Sequence, residues 1–260
     1  MTSLARDSLG GVSQGLLLTP MHDAARGDDA VTASRREMNF AFGEGEVGRL
    51  HTVLELNAQE VRFGPGNLSH VHSIYFDDDR LGSCRESLDG VSRRTKVRLR
   101  WYDQPMAGET VFFELKHRRG YNVSKRRVPL RLGRPLGSIP YQELADRLLD
   151  VLDEECAFWL RTRRQPVVLV SYKRRHFRDP LSGVRLTLDW DLACCEQLGL
   201  ARPSTRFPRG IRSMTLVEAK AGEVDEARVR GLLFPLRPRL TRNSKYVQCC
   251  MSLGWRTIQD

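Results

Sequence analysis

The sequence predicts an α+β protein in which about eight antiparallel strands close into a barrel that forms a charged tunnel, with helices packed on its outside. Two observations lead to this prediction. Several segments alternate charged and apolar residues, as strands do when one face is polar and the other is buried. Helical patterns elsewhere carry apolar stripes that need a sheet to cover, which favours an outward apolar face and an inward charged face over the reverse arrangement.

The composition bounds the number of domains and the class of partner. The 260 residues suit one large domain, and we expect residues 34–260 to form it behind a flexible tail at residues 1–33, which lacks periodicity. The 42 Lys and Arg residues against 32 Asp and Glu residues give a formal net charge of +10. This excess predicts an anionic partner, which is a nucleic acid, a phosphate compound or an acidic membrane surface.

The cysteines and the hydropathy predict a cytoplasmic protein with no membrane segment in this chain. The six cysteines include no C-x-x-C spacing, and their adjacent pairs have poor geometry for a disulfide, so we interpret them as reduced thiols. No apolar run approaches the ~20 residues of a membrane helix. The N-terminus lacks the charged region and the long apolar region of a secretory signal.

The first predicted strand, at residues 35–42, places Glu37 and Asn39 on its polar face. Residues 43–48 then show the spacing G-x-G-x-x-G between a strand and a helix. A dinucleotide fingerprint would need a βαβ unit, which does not follow, and two glutamates occupy the loop. We therefore favour a plain turn into a helix through residues 50–56, with the glutamates near the helix N-terminus.

Residues 70–79 predict a strand that ends in an acidic turn. His70 and His72 are candidate metal ligands, but no third ligand is close in sequence, so a plain strand is the simpler interpretation. The aspartates at 77–79 lack the spacing and the glycine of an EF-hand loop, and turn chemistry explains them without calcium.

Three basic segments follow, with a turn at residues 120–122. Residues 96–102 form the clearest strand of the chain, residues 112–116 form another, and residues 124–130 form a strand or a loop. Their polar faces carry one carboxylate among many cations: Lys96, Arg98, Arg100, Glu114, Lys116, Lys125 and Arg127. From the first two segments alone, an ordinary half-buried sheet whose charges face water is the simpler interpretation. The third segment alone would be a nucleic-acid patch or a solvated edge.

The second half of the chain continues the same pattern. Residues 138–164 hold the longest helical pattern, which predicts a scaffold helix or a helix pair. Residues 199–213 predict an irregular basic connection, and residues 243–253 predict a helix with Asn243 or Ser244 as its N-cap. Three further strands are predicted at residues 167–177, 183–191 and 215–220.

The polar faces of these strands together carry more cations than carboxylates. The cations are Lys96, Arg98, Arg100, Lys116, Lys125, Arg127, Arg174, Arg185 and Lys220. The carboxylates are Glu37, Glu114, Asp189 and Glu218. A tunnel lined in this way repels itself unless an anion fills it, and its buried lysines tend to lose their protons. An extended polyphosphate fits, because its oxygens are densely negative and Arg binds them bidentately.

A site for ATP or polyphosphate generally needs a hard divalent cation, which is held by one or two carboxylates and by phosphate oxygens. Glu218, beside Lys220 on the last strand, is the best candidate ligand. Glu37 and Glu114 are weaker candidates. A purely structural ion pair is the alternative role for each of these carboxylates.

Nine short motifs occur in the order found in one known family. They are Arg35-x-Glu37-x-Asn39-Phe40, Ser73-Ile74-Tyr75-Phe76-Asp77, Lys96-x-Arg98-x-Arg100, Glu114-x-Lys116, Lys125-x-Arg127, Tyr172-x-Arg174, Arg185-x-Thr187-x-Asp189, Glu218-x-Lys220 and Ser244-Lys245-Tyr246. Over residues 34–254 the sequence therefore resembles the VTC domain, the catalytic domain of vacuolar transporter chaperone polyphosphate polymerases in the triphosphate tunnel metalloenzyme superfamily. Each motif is weak by itself, and the ordered set is more specific.

The resemblance implies a closed antiparallel tunnel that binds triphosphate or polyphosphate, and polymerisation from ATP with Mn²⁺ or Mg²⁺. It implies catalytic roles for Arg98, Arg100, Lys116, Arg174 and Glu218. It implies substrate binding by Lys125, Tyr172, Ser244 and Lys245. The polar faces of the strands add further candidate substrate-binding residues, which are Lys96, Arg127, Arg185, Lys220 and Asn39. The metal would be held by Glu218, with Glu37 and Glu114 as further candidate ligands.

One position departs from the family pattern, which usually has a lysine where this sequence has Asn39. A neutral amide cannot replace that charge, so a polyphosphate-binding module without turnover is one alternative function. A hydrolase on the same fold, in which water replaces the growing chain as the nucleophile, is the other, because the sequence barely separates the two reactions. Nucleic acid is not expected, because the strand aromatics mostly fall on apolar faces rather than between surface cations. The sequence shows no accessory phosphate-sensing or membrane domain, so coupling of synthesis to translocation would need partner proteins.

Overall fold

The structure is a computed structural model that describes residues 18–20, 35–63, 66–120, 122–211, 214–221, 226–234, 236 and 238–255. These residues form an α+β fold with one large antiparallel sheet and six helices. Most of the predicted tail lies outside the described residues, where it stays a prediction. Its described segment forms a short strand that was not predicted, and Leu18 in that strand is buried.

The described part of the sheet contains twelve strands. They are β1 (Leu18–Pro20), β2 (Arg35–Phe42), β3 (Gln59–Val61), β4 (Ser69–Asp77), β5 (Arg93–Tyr102), β6 (Thr110–Arg119), β7 (Asn122–Leu132), β8 (Gln165–Arg178), β9 (Arg185–Glu196), β10 (Arg209–Gly210), β11 (Thr215–Ala221) and β12 (Leu240–Thr241). Four of them, β1, β3, β10 and β12, have only two or three residues. The other eight correspond to the predicted set of long strands.

Helices occupy the segments where the sequence predicts them and two further places. They are α1 (Val47–Asn57), α2 (Gly82–Leu88), α3 (Tyr141–Val151), α4 (Glu154–Thr162), α5 (Glu226–Leu232) and α6 (Lys245–Ser252). The long helical pattern is thus a helix pair, α3 and α4, and Ser244 caps α6 by accepting a hydrogen bond from the backbone N–H of Val247 at 3.4 Å. Helices α2 and α5 were missed because seven residues are too few to show a helical period.

The strand pairings form a circuit. Neighbouring strands pair antiparallel in the order β1-β7-β6-β5-β4-β8-β9-β11-β2-β12. In addition β2 pairs with β7, with Arg35 opposite Val123 and Arg36 opposite Asn122. Each of the eight longer strands therefore has a hydrogen-bonded partner along both of its edges.

Four helices cover the apolar face of the sheet. Helices α3 and α4 pack on β4 to β7 in a buried cluster that includes Leu99, Phe113, Leu148 and Leu160. Helices α1 and α5 pack on β2, β9 and β11 in a second cluster that includes Phe40, Leu54, Val217 and Val229. The apolar residue of each alternating pair thus faces a helix, as predicted, and the charged residue lies on the opposite face.

That opposite face is not wholly charged, and one helix packs on it, whereas the sequence predicts helices packed on the outside of the barrel. On β8, Val168, Val170 and Tyr172 share their face with Arg174, and these three residues pack in a third buried cluster with Tyr246 of α6. Helix α6 therefore lies on the charged side of the sheet and fills part of it. Alternation assigns residues to a face but does not reveal which element covers that face.

The acidic turn after β4 anchors both α2 and α6. Asp77 is fully buried, and its carboxylate accepts hydrogen bonds from the backbone N–H of Ser83 at 2.9 Å and of Cys84 at 3.2 Å. The hydroxyl of Tyr246 donates to the same carboxylate at 2.6 Å. This run of aspartates thus acts in a turn and as a cap for the short helix α2.

The other short motifs have structural roles. In the G-x-G-x-x-G segment, Glu46 accepts a hydrogen bond from the backbone N–H of Gly43 at 3.0 Å where the chain turns into α1. His72 lies on β4 and its ring hydrogen-bonds Ser171 at 2.8 Å. Tyr121 of the predicted turn at 120–122 lies outside the described residues.

The sequence also predicts reduced cysteines and no membrane segment in this chain. All six cysteines lie in the described ranges, where they are buried and free of disulfides, as expected for reduced thiols. Within the ranges that the structure describes, no helix has both the length and the apolar character needed to cross a membrane.

We expect Tyr246→Phe to lower the free energy of unfolding by about 2 kcal/mol, and the Tm by about 4–8 °C, because the buried Asp77 carboxylate loses a hydrogen-bond donor. Thermal unfolding followed by circular dichroism measures this. The matched control is Tyr141→Phe, which removes a bond of the same 2.6 Å length to the neutral amide of Gln197 and should cost about half as much. Equal losses in the two variants would contradict a special role for the charged contact.

Candidate functional site

A cavity of about 310 Å³ lies on the charged face of the sheet. Side chains of strands β2, β4 to β9 and β11 and of helix α6 line it. Among the described residues, twelve lysine and arginine side chains line the cavity, against two carboxylates, Glu37 and Glu218. The cations that the sequence places on separate strands therefore surround one common space.

Three lysines form a row across neighbouring strands. Lys96 on β5 lies opposite Lys116 on β6, and Lys116 lies opposite Lys125 on β7. Like charges that are directly opposite in a sheet repel each other. The Nζ atom of Lys116 contacts Glu37 at 2.6 Å, and the Nζ atom of Lys96 donates to the Ser244 hydroxyl at 2.7 Å.

Arg98 of β5 is held by Glu114, which is fully buried. Arg98 donates from Nε to Glu114 at 2.7 Å and also contacts it through Nη2 at 2.6 Å. Arg100, Lys125 and Arg127 lie 3.8, 3.8 and 3.4 Å from the same carboxylate. Burial alone would raise the pKa of Glu114, but these cations, led by Arg98, hold it well below its usual value.

Glu114 and Arg127 are the two predicted site residues that do not line the cavity. Glu114 lies beneath the lining, and a metal ion at Glu114 would meet the cations that already surround its carboxylate. Arg127 covers the ring of Phe112, with its guanidinium carbon 3.6 Å from the ring centre. The structure therefore presents Glu114 as a buried counterion, which is the structural alternative that the sequence left open.

Asp189 is a second buried counterion, on β9. Arg174 donates to both of its oxygens, at 2.6 and 2.7 Å, and the Nζ atom of Lys245 contacts it at 2.6 Å. Despite its burial, the pKa of Asp189 is lowered by Arg174 and Lys245. The sequence places Asp189 on a polar face but does not single it out as a site residue, because a period of two cannot show which cations it meets.

Helix α6 brings its first residues into the cavity. Ser244 and Lys245 both line it, and the Nζ atom of Lys245 lies 4.7 Å from the centre of the Tyr172 ring. The hydroxyl of Tyr172 accepts a hydrogen bond from Arg100 at 3.4 Å. Two distant parts of the chain thus meet at Tyr172, and the positive end of the α6 dipole lies beside the cations.

Lys96, one of the described cations of the cavity, has a strongly lowered pKa. Burial, together with repulsion from Lys116 and Arg94, lowers its pKa from 10.5 to about 7. Burial also lowers the pKa of Lys220, although Glu218 and Glu37 oppose that change. An added anion would therefore favour the charged forms of Lys96 and Lys220.

Glu218 lies in a row of oxygen-bearing residues across three strands. It is opposite Asn39 on β2 and Thr187 on β9, and the Thr187 hydroxyl is buried without a hydrogen-bond partner among the described residues. Glu218 contacts Lys220 and Arg174 at 3.6 and 3.8 Å, both longer than a hydrogen bond. Burial would raise the pKa of Glu218, but Lys220 and Lys116 hold it well below its usual value.

This row fits a hard divalent cation as a partial site. Hard cations such as Mg²⁺ take oxygen ligands, and Mg²⁺ is often held by one or two carboxylates together with substrate phosphates. No group of three or more Asp, Glu, His or Cys residues that could hold a metal occurs in the described parts of the chain. A cation at Glu218 would therefore need ligands from a bound phosphate.

The cavity also contains residues that the sequence analysis missed. Arg94 and Arg118 line it, and each continues the alternation of β5 or β6 by one more step, so the same pattern could have found them. Arg242, Asn243 and Gln248 line it as well, but they come from a loop and a helix where no period-two pattern exists. The other predicted residues, Glu37, Asn39, Arg185 and Lys220, line the cavity as the sequence suggests.

We expect Glu114→Gln to lower the free energy of unfolding by about 3 kcal/mol at pH 7, because it leaves the surrounding cations without their buried charge. Since the folded-state pKa of Glu114 is lowered, its contribution is present above the ordinary pKa of about 4.5 and is lost as the pH falls below it. Chemical denaturation at pH 7 and pH 3.5 measures both effects. Glu109→Gln, at an exposed ion pair, is the control and should change stability by less than about 0.5 kcal/mol; equal effects of the two substitutions would contradict the counterion role.

We expect tripolyphosphate binding at pH 8 to take up about one more proton in the natural protein than in Lys96→Gln. With a pKa of about 7 the free amine is mostly neutral at pH 8, and a bound anion raises that pKa and charges the amine. Calorimetric titration in two buffers of different ionisation enthalpy measures the uptake. The difference should vanish at pH 6, where the amine already carries its proton, and equal uptake at pH 8 would disprove the shifted pKa.

Comparison with models of known protein families finds a match. A family model described as the VTC domain matches residues 36–254, which is most of the chain. None of the curated proteins compared with the chain matches it.

Proposed function

Because the chain belongs to the VTC domain family, we propose that it is a polyphosphate polymerase, which transfers the terminal phosphoryl group of ATP to a growing polyphosphate chain. The observation that carries this proposal is the cavity with twelve cations and two carboxylates among its described lining residues. Such a cavity needs a ligand with many closely spaced negative charges. A phosphate chain is such a ligand, and the family includes polyphosphate polymerases.

We further propose that the circuit of strand pairings is a barrel and that the cavity is part of a tunnel through it. The two-residue pairing of β2 with β7 supports closure, and the contact of Lys116 on β6 with Glu37 on β2 spans the same junction. A tunnel would confine an extended phosphate chain and keep its ends in line. This geometry suits a transfer between two linear phosphate chains better than an open groove does.

In the proposed reaction, an oxygen of the terminal phosphate of the growing chain attacks the γ-phosphorus of ATP, and ADP leaves. Phosphoryl transfer needs little covalent help from a protein, so positioning and charge neutralisation supply the rate. The lysine row at Lys96, Lys116 and Lys125 would bind phosphate oxygens as point charges. Arg98 hydrogen-bonds Glu114, and Arg100 hydrogen-bonds the hydroxyls of Ser73 and Tyr172. With their directions set in this way, the two guanidiniums would each bind phosphate oxygens as a planar fork.

A divalent cation, Mn²⁺ or Mg²⁺, would supply further neutralisation of the phosphate oxygens when bound. Glu218 would hold it, with Asn39 and Thr187 as neighbouring oxygen donors in register. Glu37 is a further carboxylate on the lining, although its carboxylate already forms an ion pair with Lys116. Glu114 is left out of this proposed set because it is buried among cations.

Asn39 bears on whether the reaction forms polyphosphate or orthophosphate. The family usually has a lysine at this position, and here a neutral amide lies opposite Glu218. One phosphate-binding charge is therefore missing, while Glu218 gains no cation from β2 at this register. A change in how the acceptor is held would favour water as the nucleophile, which would make the protein a triphosphatase or a polyphosphatase.

We expect the protein, in the presence of Mn²⁺, to convert ATP into long polyphosphate and ADP, and Glu218→Gln to lower the rate at least about 100-fold. Gel electrophoresis of the products and a phosphate assay measure polymer and orthophosphate separately. Thermal stabilisation by tripolyphosphate without metal should persist in Glu218→Gln, because that substitution removes only a negative charge from the cavity.

Glu109→Gln is the control, because Glu109 lies outside the lining at an exposed ion pair, and it should react at the natural rate. Orthophosphate as the sole product would replace the polymerase proposal with the hydrolase. Stabilisation by tripolyphosphate without turnover would leave a binding module. Full activity in Glu218→Gln would contradict the role given to this carboxylate.

A further inference from the structure

One part of the cavity lining has a different chemistry from the rest. Ser87 and Leu88 at the end of α2 line it, together with Val247, Gln248 and Met251 of α6. These five uncharged residues form what we call the α2–α6 shelf. The two helices pack against each other, with Cys84 and Cys250 in one buried cluster, and both line the same cavity.

The shelf exposes apolar side chains to the cavity. Leu88 is 42% exposed and Met251 is 55% exposed. Val247 and Met251 are four residues apart and therefore lie on the same side of α6. Single exposed apolar residues are ordinary on a protein surface, but these line the same space as the phosphate-binding cations. A bare phosphate chain gains nothing from apolar contacts.

The shelf extends along α6 away from the lysine row, and Met251 lies at its far end. Ser244, at the N-cap of α6, accepts a hydrogen bond from Lys96, and the helix then rises about 9 Å from Lys245 to Met251. Arg94 and Arg242 also line the cavity, and a Cβ added at Gly90, two residues after Leu88, would meet the Arg242 guanidinium at 2.9 Å. Cations and an apolar surface thus follow one another along the cavity.

We propose that the α2–α6 shelf binds the nucleoside of the nucleoside triphosphate, with a face of the base on Leu88 and Met251 and the Gln248 amide within reach of its polar edge. A nucleobase has two apolar faces and an edge of donors and acceptors, and it stacks on apolar side chains and on guanidinium planes. Arg94 or Arg242 would then contact the phosphate next to the ribose. This inference rests on the proposed function, because it assigns a place in the same cavity to the nucleoside, which ATP has and polyphosphate lacks.

The test compares ATP with tripolyphosphate, which has the same phosphate chain without a nucleoside. Leu88→Ser combined with Met251→Ser should weaken ATP binding at least about tenfold, because it removes the apolar contacts of the base. Tripolyphosphate affinity should stay within about twofold of the natural value. Calorimetric titration of each ligand measures both affinities, and the melting temperature without ligand checks that the variant is folded.

The matched control is Leu56→Ser, on α1, where an equally apolar side chain is 79% exposed and lies outside the lining. This substitution should change neither affinity. A selective loss of ATP binding in the double variant alone supports the shelf as the nucleoside site.

Three results would overturn the inference. Unchanged affinity for ATP in the double variant would show that the nucleoside lies elsewhere, while tripolyphosphate binding would still support the proposed function. An equal loss of affinity for both ligands would show that the shelf affects the phosphate site and does not bind the nucleoside. Failure of the natural protein to bind either ligand would overturn the proposed function and the shelf together.

Discussion

The arrangement of the site depends on the repulsion between cations that line one cavity and on the two buried carboxylates that oppose it. Glu114 balances the cations of β5 and β7, and Asp189 balances Arg174 and Lys245. Neither carboxylate needs to touch a ligand to matter. Because each is fully or nearly fully buried and surrounded by cations, it fixes the directions of the guanidiniums before a ligand arrives.

The sheet and α6 together create the space in which these charges meet. The alternating strands place their apolar side chains against α1, α3, α4 and α5. The alternation does not determine which element covers the charged face. Helix α6 covers part of that face with Tyr246 and Val247, and its first turn carries Ser244 and Lys245 to the cations. The same helix is therefore a packing element at one end and a part of the site at the other.

Without a bound anion, the cations that line the cavity repel one another, and an anion would reduce this repulsion. Lys96 and Lys116 lie directly opposite each other, and the pKa of Lys96 is lowered to about 7. Stability and binding are thus opposed at this position, as they often are where a protein is organised around a charged ligand. The uncharged shelf beside the cations adds a second chemistry to the same space. In our proposal, this pairing distinguishes a nucleoside triphosphate from a simple phosphate chain.

The sequence by itself determined the long strands, their polar faces and most of the residues around the cavity, because a period of two assigns side chains to one side of a sheet without any knowledge of tertiary contacts. Only the tertiary structure decided that Glu114 is a buried counterion rather than a lining residue, that Asp189 joins Arg174 to Lys245, and that α6 enters the charged face. It also decided the place of Arg242 and of the α2–α6 shelf. These features depend on register across strands far apart in sequence and on the packing of short helices, and neither leaves a periodic trace along the chain.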